Sequence, residues 1–315
     1  MTSNQEFKRL ARRVKLRRWG MTILIAGVVC LGLGFLTVQT LNTLTRKASD
    51  RDNAFMSDVA EIMAPNIQIS DQYLVNNKLF SGQVLSHRYK DIEGQRVAWS
   101  PMTADYSWAQ GGHLPTALNA TDEQGARVYD RVTQQKVPVF YNVARKRQAG
   151  QLTGSHPLQE LGQVERTKGQ VAEVALTFQR PLTYRQIQQR LPQGVHAAWY
   201  WLGVSGKADT TVMANNFVGL QAGDARGRLT QQDYRAFRDV ARTASHQATA
   251  AGFTLNGFAP FKYAGQYVQR YPQLTTARFA GVIVTGTSAH LKRLGTPSWV
   301  AASAAGVVTP QTTVK

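Results

Sequence analysis

The sequence predicts an α+β protein hung on a single N-terminal transmembrane helix. It has a β-rich first outer domain and a second outer domain that is an α+β sandwich with a mixed sheet. Three observations lead there. Residues 19–38 form an uncharged run, WGMTILIAGVVCLGLGFLTV, and twenty helical residues span ~30 Å, the thickness of a hydrocarbon layer. From Asn66 apolar and polar residues alternate with a period of two, as in half-buried strands. From Val171 strand-like and helix-like stretches take turns, which places helices over one face of a sheet.

The organisation predicted along the chain is a basic cytoplasmic tail at 1–18, a transmembrane helix at 19–41 and a helical stalk at 42–65. A β-rich domain at 66–143, a linker at 144–169 and an α+β domain at 170–310 follow. Lys8, Arg9, Arg12, Arg13, Lys15, Arg17 and Arg18 precede the span, whereas Arg46 and Lys47 beyond it are soon balanced by Asp50 and Asp52. That asymmetry puts the N-terminus in the cytoplasm and the later domains outside the cell membrane, as a single-pass protein. A cleaved signal peptide fits less well, because the apolar run exceeds the usual ~7–15 residues and Thr37-Val38-Gln39 offers no small-x-small site. A lipoprotein at Cys30 fits no better, since Val29 stands where a small residue is wanted.

The tail carries an apolar stripe, Phe7, Leu10, Ala11 and Val14, at helical spacing among its cations. It reads as a helix on the inner leaflet, each cation worth ~1 kcal/mol near anionic lipid. Cys30 is the only cysteine, so the outer portion has no disulfide and relies on its core. A Gram-positive-type cell envelope fits that usage. The chain has a formal net charge of +18; without the tail, 30 basic and 18 acidic residues remain. A solvated basic surface accounts for this excess, and an anionic wall polymer is the alternative partner. Nucleic acid is not expected beyond the membrane.

Phe55, Val59, Ile62 and Met63 continue the helical spacing until Pro65 stops it. NIQISDQYLV and KLFSGQVLSHRY then alternate around Asn76-Asn77, which reads as a hairpin turn. DIEGQ, Asp91 to Gln95, is the next turn, before RVAWSP. RVYDRV and KVPVFYNV flank Thr133-Gln134-Gln135 as a second hairpin. In the second half EVALTF is a strand. Thr183 caps the helix TYRQIQQRL, which Pro192 and Gly194 close, and VHAAWYWLGV is the next strand. Thr230 and Asp233 open a capping box for an amphipathic helix through Tyr234, Phe237, Ala241 and Ala244. The helix FKYAGQYVQRY, the strand RFAGVIVTG, the short helix SAHLKRL and the strand WVAASAAGVV complete the chain.

Catalytic motifs are not assembled in this sequence. Gly203-Val204-Ser205-Gly206 is one residue short of a nucleophile elbow. His87, His113, His156, His196, His246 and His290 show no metal-ligand spacing. Gly206-Lys207 lacks the earlier glycine of a phosphate loop and is followed by Ala208. Asn119-Ala120-Thr121 matches a glycosylation triplet that arises often by chance. No residue is assigned as catalytic, cofactor-binding or metal-ligating, and the protein is read as not an enzyme. Trp199-Tyr200-Trp201 poses the sharper choice between a sugar platform and a core strand. Val195, Ala197, Trp199, Trp201 and Gly203 would share one face of a strand lying between helices, which favours the core.

EVALTFQRPLTYRQIQQRLPQGVHAAWYWLG, GFAPFKYAGQYVQRYP, RFAGVIVTGTSAHLKRL and WVAASAAGVV together resemble the C-terminal domain of the bacterial sigma factor regulator family. The span, PNIQIS, RYKDIEGQRVAW and VYDRVTQQKVPVFY resemble its N-terminal domain, so the likeness runs from about Trp19 to Val308. It implies a membrane-anchored regulator in an extracytoplasmic-function sigma/anti-sigma system, and it brings no catalytic residues. An anti-sigma factor must grip its sigma factor, and a stable interface buries ~800 Å² per partner. The eighteen residues before the span, whose surface is mostly cationic, are not expected to supply that. The expected partners are therefore the membrane and another membrane protein or anti-sigma subunit, met in the bilayer through Gly27, Gly32 or Gly34, with the sigma factor reached indirectly. The alternative is an envelope-binding or scaffolding module with no transcriptional role.

Overall fold

The computed structural model describes residues 3–109, 119–121, 127–145, 157–210, 213–247 and 252–312. Helix α1, Ser3–Ile62, is unbroken over 60 residues, so the stretches read as tail, span and stalk lie on one rod ~90 Å long. Among the described residues it is the one helix long and apolar enough to cross a membrane, with mean hydropathy 2.4 over its most apolar window. Its threonines suit an apolar solvent. Thr22 Oγ1 donates to the Arg18 carbonyl at 3.0 Å and Thr37 Oγ1 to Leu33 at 2.8 Å, so neither hydroxyl is left unpaired. Side chains along 19–38 are exposed, whereas Phe55, Met56, Val59 and Ile62 are buried. The distal third of α1 is thus part of the folded core, and it ends ahead of Pro65 as the sequence implies.

Strands β1 (Gln68–Lys78), β2 (Ser81–Ile92) and β3 (Gln95–Ser107) form an antiparallel sheet in that order. The first hairpin turns at Leu79-Phe80 instead of Asn76-Asn77. Asn76 does take the left-handed conformation that asparagine tolerates, at φ 51°, but it spends it on a bulge, and the register shifts between Val75 and Lys78. The second turn falls where DIEGQ places it. Glu93 and Gly94 both have positive φ, 54° and 83°, which is the type I′ geometry that matches strand twist.

Strands β4 (Asn119–Thr121), β5 (Val128–Asp130) and β6 (Lys136–Val137) make a small second sheet. Asp130 holds the β5–β6 turn, its Oδ1 accepting from the Val132 and Thr133 amides at 3.1 and 2.9 Å. Within the stretch read as a linker, Gln159 bridges to Ser303 and a short helix α2, Leu161–Val164, buries both its apolar ends.

The large sheet has five strands: β7 (Gln170–Thr183), β8 (Val195–Trp201), β9 (Gly219–Gln221), β10 (Arg278–Thr287) and β11 (Val300–Pro310). Their order is β11-β7-β10-β8-β9, and every neighbouring pair is antiparallel, so the sheet is not mixed as the sequence suggested. The reason is plain. The β7–helix–β8 unit does run its two strands in one direction, but β10 inserts between them.

Both helix starts form as read, and the cap at Thr183 proves to be a full capping box like the one at Thr230. Thr183 Oγ1 accepts from the Gln186 amide at the head of α3 (Tyr184–Gln188), and Thr230 Oγ1 from the Asp233 amide at the head of α4 (Gln231–His246). Helices α5 (Pro260–Arg270) and α6 (Ser288–Leu291) complete the set. Phe55 of α1 meets Phe261 of α5 and Phe253 at ring separations of 5.6 and 5.9 Å, which ties the end of the rod to the second half of the chain.

Candidate functional site

β8 carries a bulge. Trp199 pairs with Ile283 and Ala197 with Val284, so Ala198 is the extra residue. Ile283 and Val284 point to opposite faces of β10, and so therefore do Trp199 and Ala197. This corrects the unbroken alternation expected from Val195 to Gly203. One face of the sheet carries Glu173, Thr285 and His196 at one end and Trp199 and Trp201 at the other. Against this face lies the β-rich first half.

The aromatic end is dry. Phe140, which follows β6, stacks on Trp201 with centroids 4.7 Å apart at 16°, and meets Phe217 edge-on at 5.2 Å. Gly281, paired with Trp201, leaves the space: a Cβ there would lie 2.7 Å from the Phe140 ring. Trp199, Tyr200 and Trp201 are all buried, so the motif is a core strand, as the sequence favoured, but covered on its Trp face by Phe140 and Phe217. Tyr200 points the other way, against Tyr184 and Phe279, and donates to the Gly227 carbonyl at 2.5 Å. Burial raises its pKa.

The polar end joins the two halves by charge. Glu173 of β7 accepts from Lys90 of β2 at 2.6 Å, from Asn66 Nδ2 at 2.8 Å and from the Val307 amide at 3.2 Å. Lys90 also lies 4.2 Å from the centre of the Trp99 ring. Burial pulls the Lys90 pKa down and Glu173 opposes it. Nearby, burial lowers the Arg88 pKa to about 10 while Asp130 opposes the fall. At the β2–β3 turn Glu93 accepts from Thr285 Oγ1 at 2.6 Å and meets His196 Nδ1 at 3.0 Å. At the sheet's far edge Glu160 binds Arg127 at 3.0 Å, Lys136, and the Ala305 amide at 2.9 Å.

Beside the Glu93 contact opens a cleft of ≈ 840 Å³. Glu61 of α1, Asn66, Asp91 and Glu93 line one wall, and His196 and the Gly223–Gly227 loop the other. The cleft therefore touches the end of the long helix and both halves at once. Asp58, one turn before Glu61, has its pKa raised to about 6 by burial first and Glu61 second. A raised carboxyl pKa means a cost to folding that is complete above pH 6 and relieved as pH falls toward the unfolded value of 3.8. Asp58→Asn is expected to raise the melting temperature at pH 7.5 and to have no effect below about pH 4. Parallel melts of the two proteins across that range check it, and a constant difference at all pH values would refute the assignment.

The other residues singled out in the sequence lie apart from one another. His87 bonds Asp71 at 2.7 Å on the exposed side of β1–β2. His246 ends α4 and His290 lies in α6. His113 and His156 fall outside the described residues. Ser205 and Gly206 sit in an exposed turn whose Gly206 carbonyl accepts from Asn142 Nδ2 at 3.0 Å, and His196 faces Glu93 instead. Asn119–Thr121 is strand β4. Among the described residues no cluster of His, Cys, Asp or Glu could hold a metal ion. Sequence reasoning missed Glu93, Lys90, Asn66 and Glu173. Glu173 alone had left a signal, a single charge inside the apolar run Val171–Leu176.

Two family profiles match the chain. The sigma factor regulator C-terminal profile covers residues 164–307 and the sigma factor regulator N-terminal profile covers residues 8–97. No curated protein and no solved structure matches it significantly. The N-terminal match takes in the apolar helix and β1–β2, and the C-terminal match takes in the five-stranded sheet up to β11, so the Lys90–Glu173 pair joins one matched region to the other.

Proposed function

The chain belongs to the sigma factor regulator family, and from that premise we propose that it is a membrane-anchored regulator of an extracytoplasmic-function sigma/anti-sigma system, working through a partner membrane protein. The family suggests a regulatory, non-enzymatic role. The observation that carries the finer reading is mechanical. The helix that is long enough to cross a membrane continues without a break into the core, where Phe55 packs on Phe261 and Ile62 is fully buried. A change in the outer portion can therefore move or turn the helix as a rigid lever. Phe7, Leu10 and Val14 at its other end are exposed and could pass that motion on.

In this reading the N-terminus is cytoplasmic and the sheets lie outside, because seven cations flank one end of the span. Three results are expected. Protease added to wall-stripped cells degrades the outer portion and spares an N-terminal tag. Deletion of the gene shifts a set of envelope-stress transcripts. The full-length protein, purified from membranes, brings down a second membrane protein, while a peptide of residues 1–18 binds anionic vesicles in a salt-sensitive way and binds no sigma factor. Tight binding of that peptide to a sigma factor would replace the partner by direct capture. An unchanged transcriptome under wall-active stress would sink the regulatory role and leave a scaffolding module.

A further inference from the structure

Helices α4 and α5 lie close because Gly265 of α5 faces Ser245 of α4: a Cβ on Gly265 would meet the Ser245 Cβ at 2.5 Å. Between them runs a groove of ≈ 610 Å³. Its α4 wall carries Arg238, Arg242 and His246, and its α5 wall Lys262, Gln266 and Gln269. The three α4 residues are four apart, so they make one stripe along the helix with a rise of ~6 Å per step. No carboxylate lines the groove. Arg238 leans on Asp239 at 3.5 Å, whereas Arg242, His246 and Lys262 are exposed and take part in no ion pair among the described residues.

We propose that this groove binds a linear phosphodiester polymer of the cell envelope. A single small anion would reach one or two of these cations, whereas a chain of anions can follow the whole stripe. Arginine, lysine and glutamine amide groups all offer donors to phosphate oxygens. The phosphates of the bilayer itself are a poorer source. Phe261, at the start of α5, packs on Phe55 of α1, which stands fourteen helical steps beyond the end of the span at residue 41. That is ~20 Å along the rod, well beyond a Debye length of ~8 Å. The proposal rests on the reading that this portion lies outside the membrane. It gives the regulator a physical contact with the envelope it would survey.

The test is a footprint on the full chain in phosphatidylcholine nanodiscs, with poly(glycerol phosphate) as the probe. Lysine acetylation is read residue by residue, so binding to the basic tail does not interfere. The polymer is expected to protect Lys262 and to leave the exposed Lys168 and Lys207 reactive. In Arg242→Gln the polymer concentration for half-protection of Lys262 should rise about fivefold, the worth of one surface cation, with the melting temperature unchanged. Equal protection of Lys168, Lys207 and Lys262 would overturn the groove in favour of a diffuse surface field. Protection of Lys262 by phosphatidylglycerol in the disc, without polymer, would overturn it in favour of a lipid site. No protection at low salt and saturating polymer would dismiss it outright. The footprint does not depend on orientation or transcription, so its failure is distinct from failure of the regulator reading.

Discussion

Glu173→Gln lowers the unfolding free energy of the portion that follows the apolar helix by about 3–5 kcal/mol, the usual cost of breaking a buried ion pair from one side. Glu173 and Lys90 are both 0% exposed in their side chains, so no water can replace the lost charge. The substitution keeps the shape of the side chain and removes only its charge, leaving the Lys90 ammonium on the Trp99 face with Asp130 as its remaining opposite charge. Lys90→Met should cost less, because the orphaned carboxylate keeps Asn66 Nδ2 and the Val307 amide as donors. The double variant Lys90→Met with Glu173→Met should still be more stable than Glu173→Gln alone, since it leaves no unpaired buried charge, although Asn66 Nδ2 and the Val307 amide lose their acceptor and hold back part of the gain. Urea midpoints of the three proteins decide it. If Glu173→Gln is the most stable of the three, the pair does not hold the two halves together.

The loss should also be felt along the rod. Lys90 lies on β2, which packs with β3 against α1, while Glu173 lies on the second strand of the large sheet. Loosening their contact frees the first half to shift against the second. In the regulator reading this is the motion that reaches the membrane helix, so Glu173→Gln at a permissive temperature should alter the same transcripts as deletion.

Local signals were legible in the sequence wherever one residue type has one physical use. The uncharged run gave the membrane-length helix, Thr183 and Thr230 gave both helix starts, and Glu93-Gly94 gave a turn. Where a residue type has two uses, the reading went astray. Asn76-Asn77 suits a turn and a bulge equally, and the choice depends on the partner strand. Likewise, β7–helix–β8 reads as a parallel pair until β10, about eighty residues on from β8, takes the gap between them. The polar seam was hidden for another reason. Lys90 and Glu93 lie in a strand and a turn that look solvated when read alone, Glu173 shows only as a lone charge in an apolar run, and only the docking of one sheet on another brings them together. The family resemblance of both halves was legible, because it rests on the order of many local signals.

The tryptophan pair supplies the second large effect. Trp201→Ala is expected to cost about 3–5 kcal/mol, from lost burial and an incompletely collapsed cavity. Trp201 is 2% exposed and has Phe140 stacked on it, Phe217 at its edge and Gly281 opposite, a strand glycine that cannot fill the hole. Phe140→Leu should cost less, since the branched side chain still covers part of the ring. A double-mutant cycle between Trp201→Ala and Phe140→Leu should show coupling of about 0.5–1.5 kcal/mol, the range for a specific aromatic contact. Phe140 comes from the first half and Trp201 from the second, so coupling here measures adhesion between the halves, independently of the Lys90–Glu173 pair at the other end of the same face. Additivity of the two substitutions would mean that the stacked geometry contributes only area. Variants that stay fully stable yet lose binding to a glycan would instead restore the sugar platform, and the dry aromatic seam would have to be abandoned.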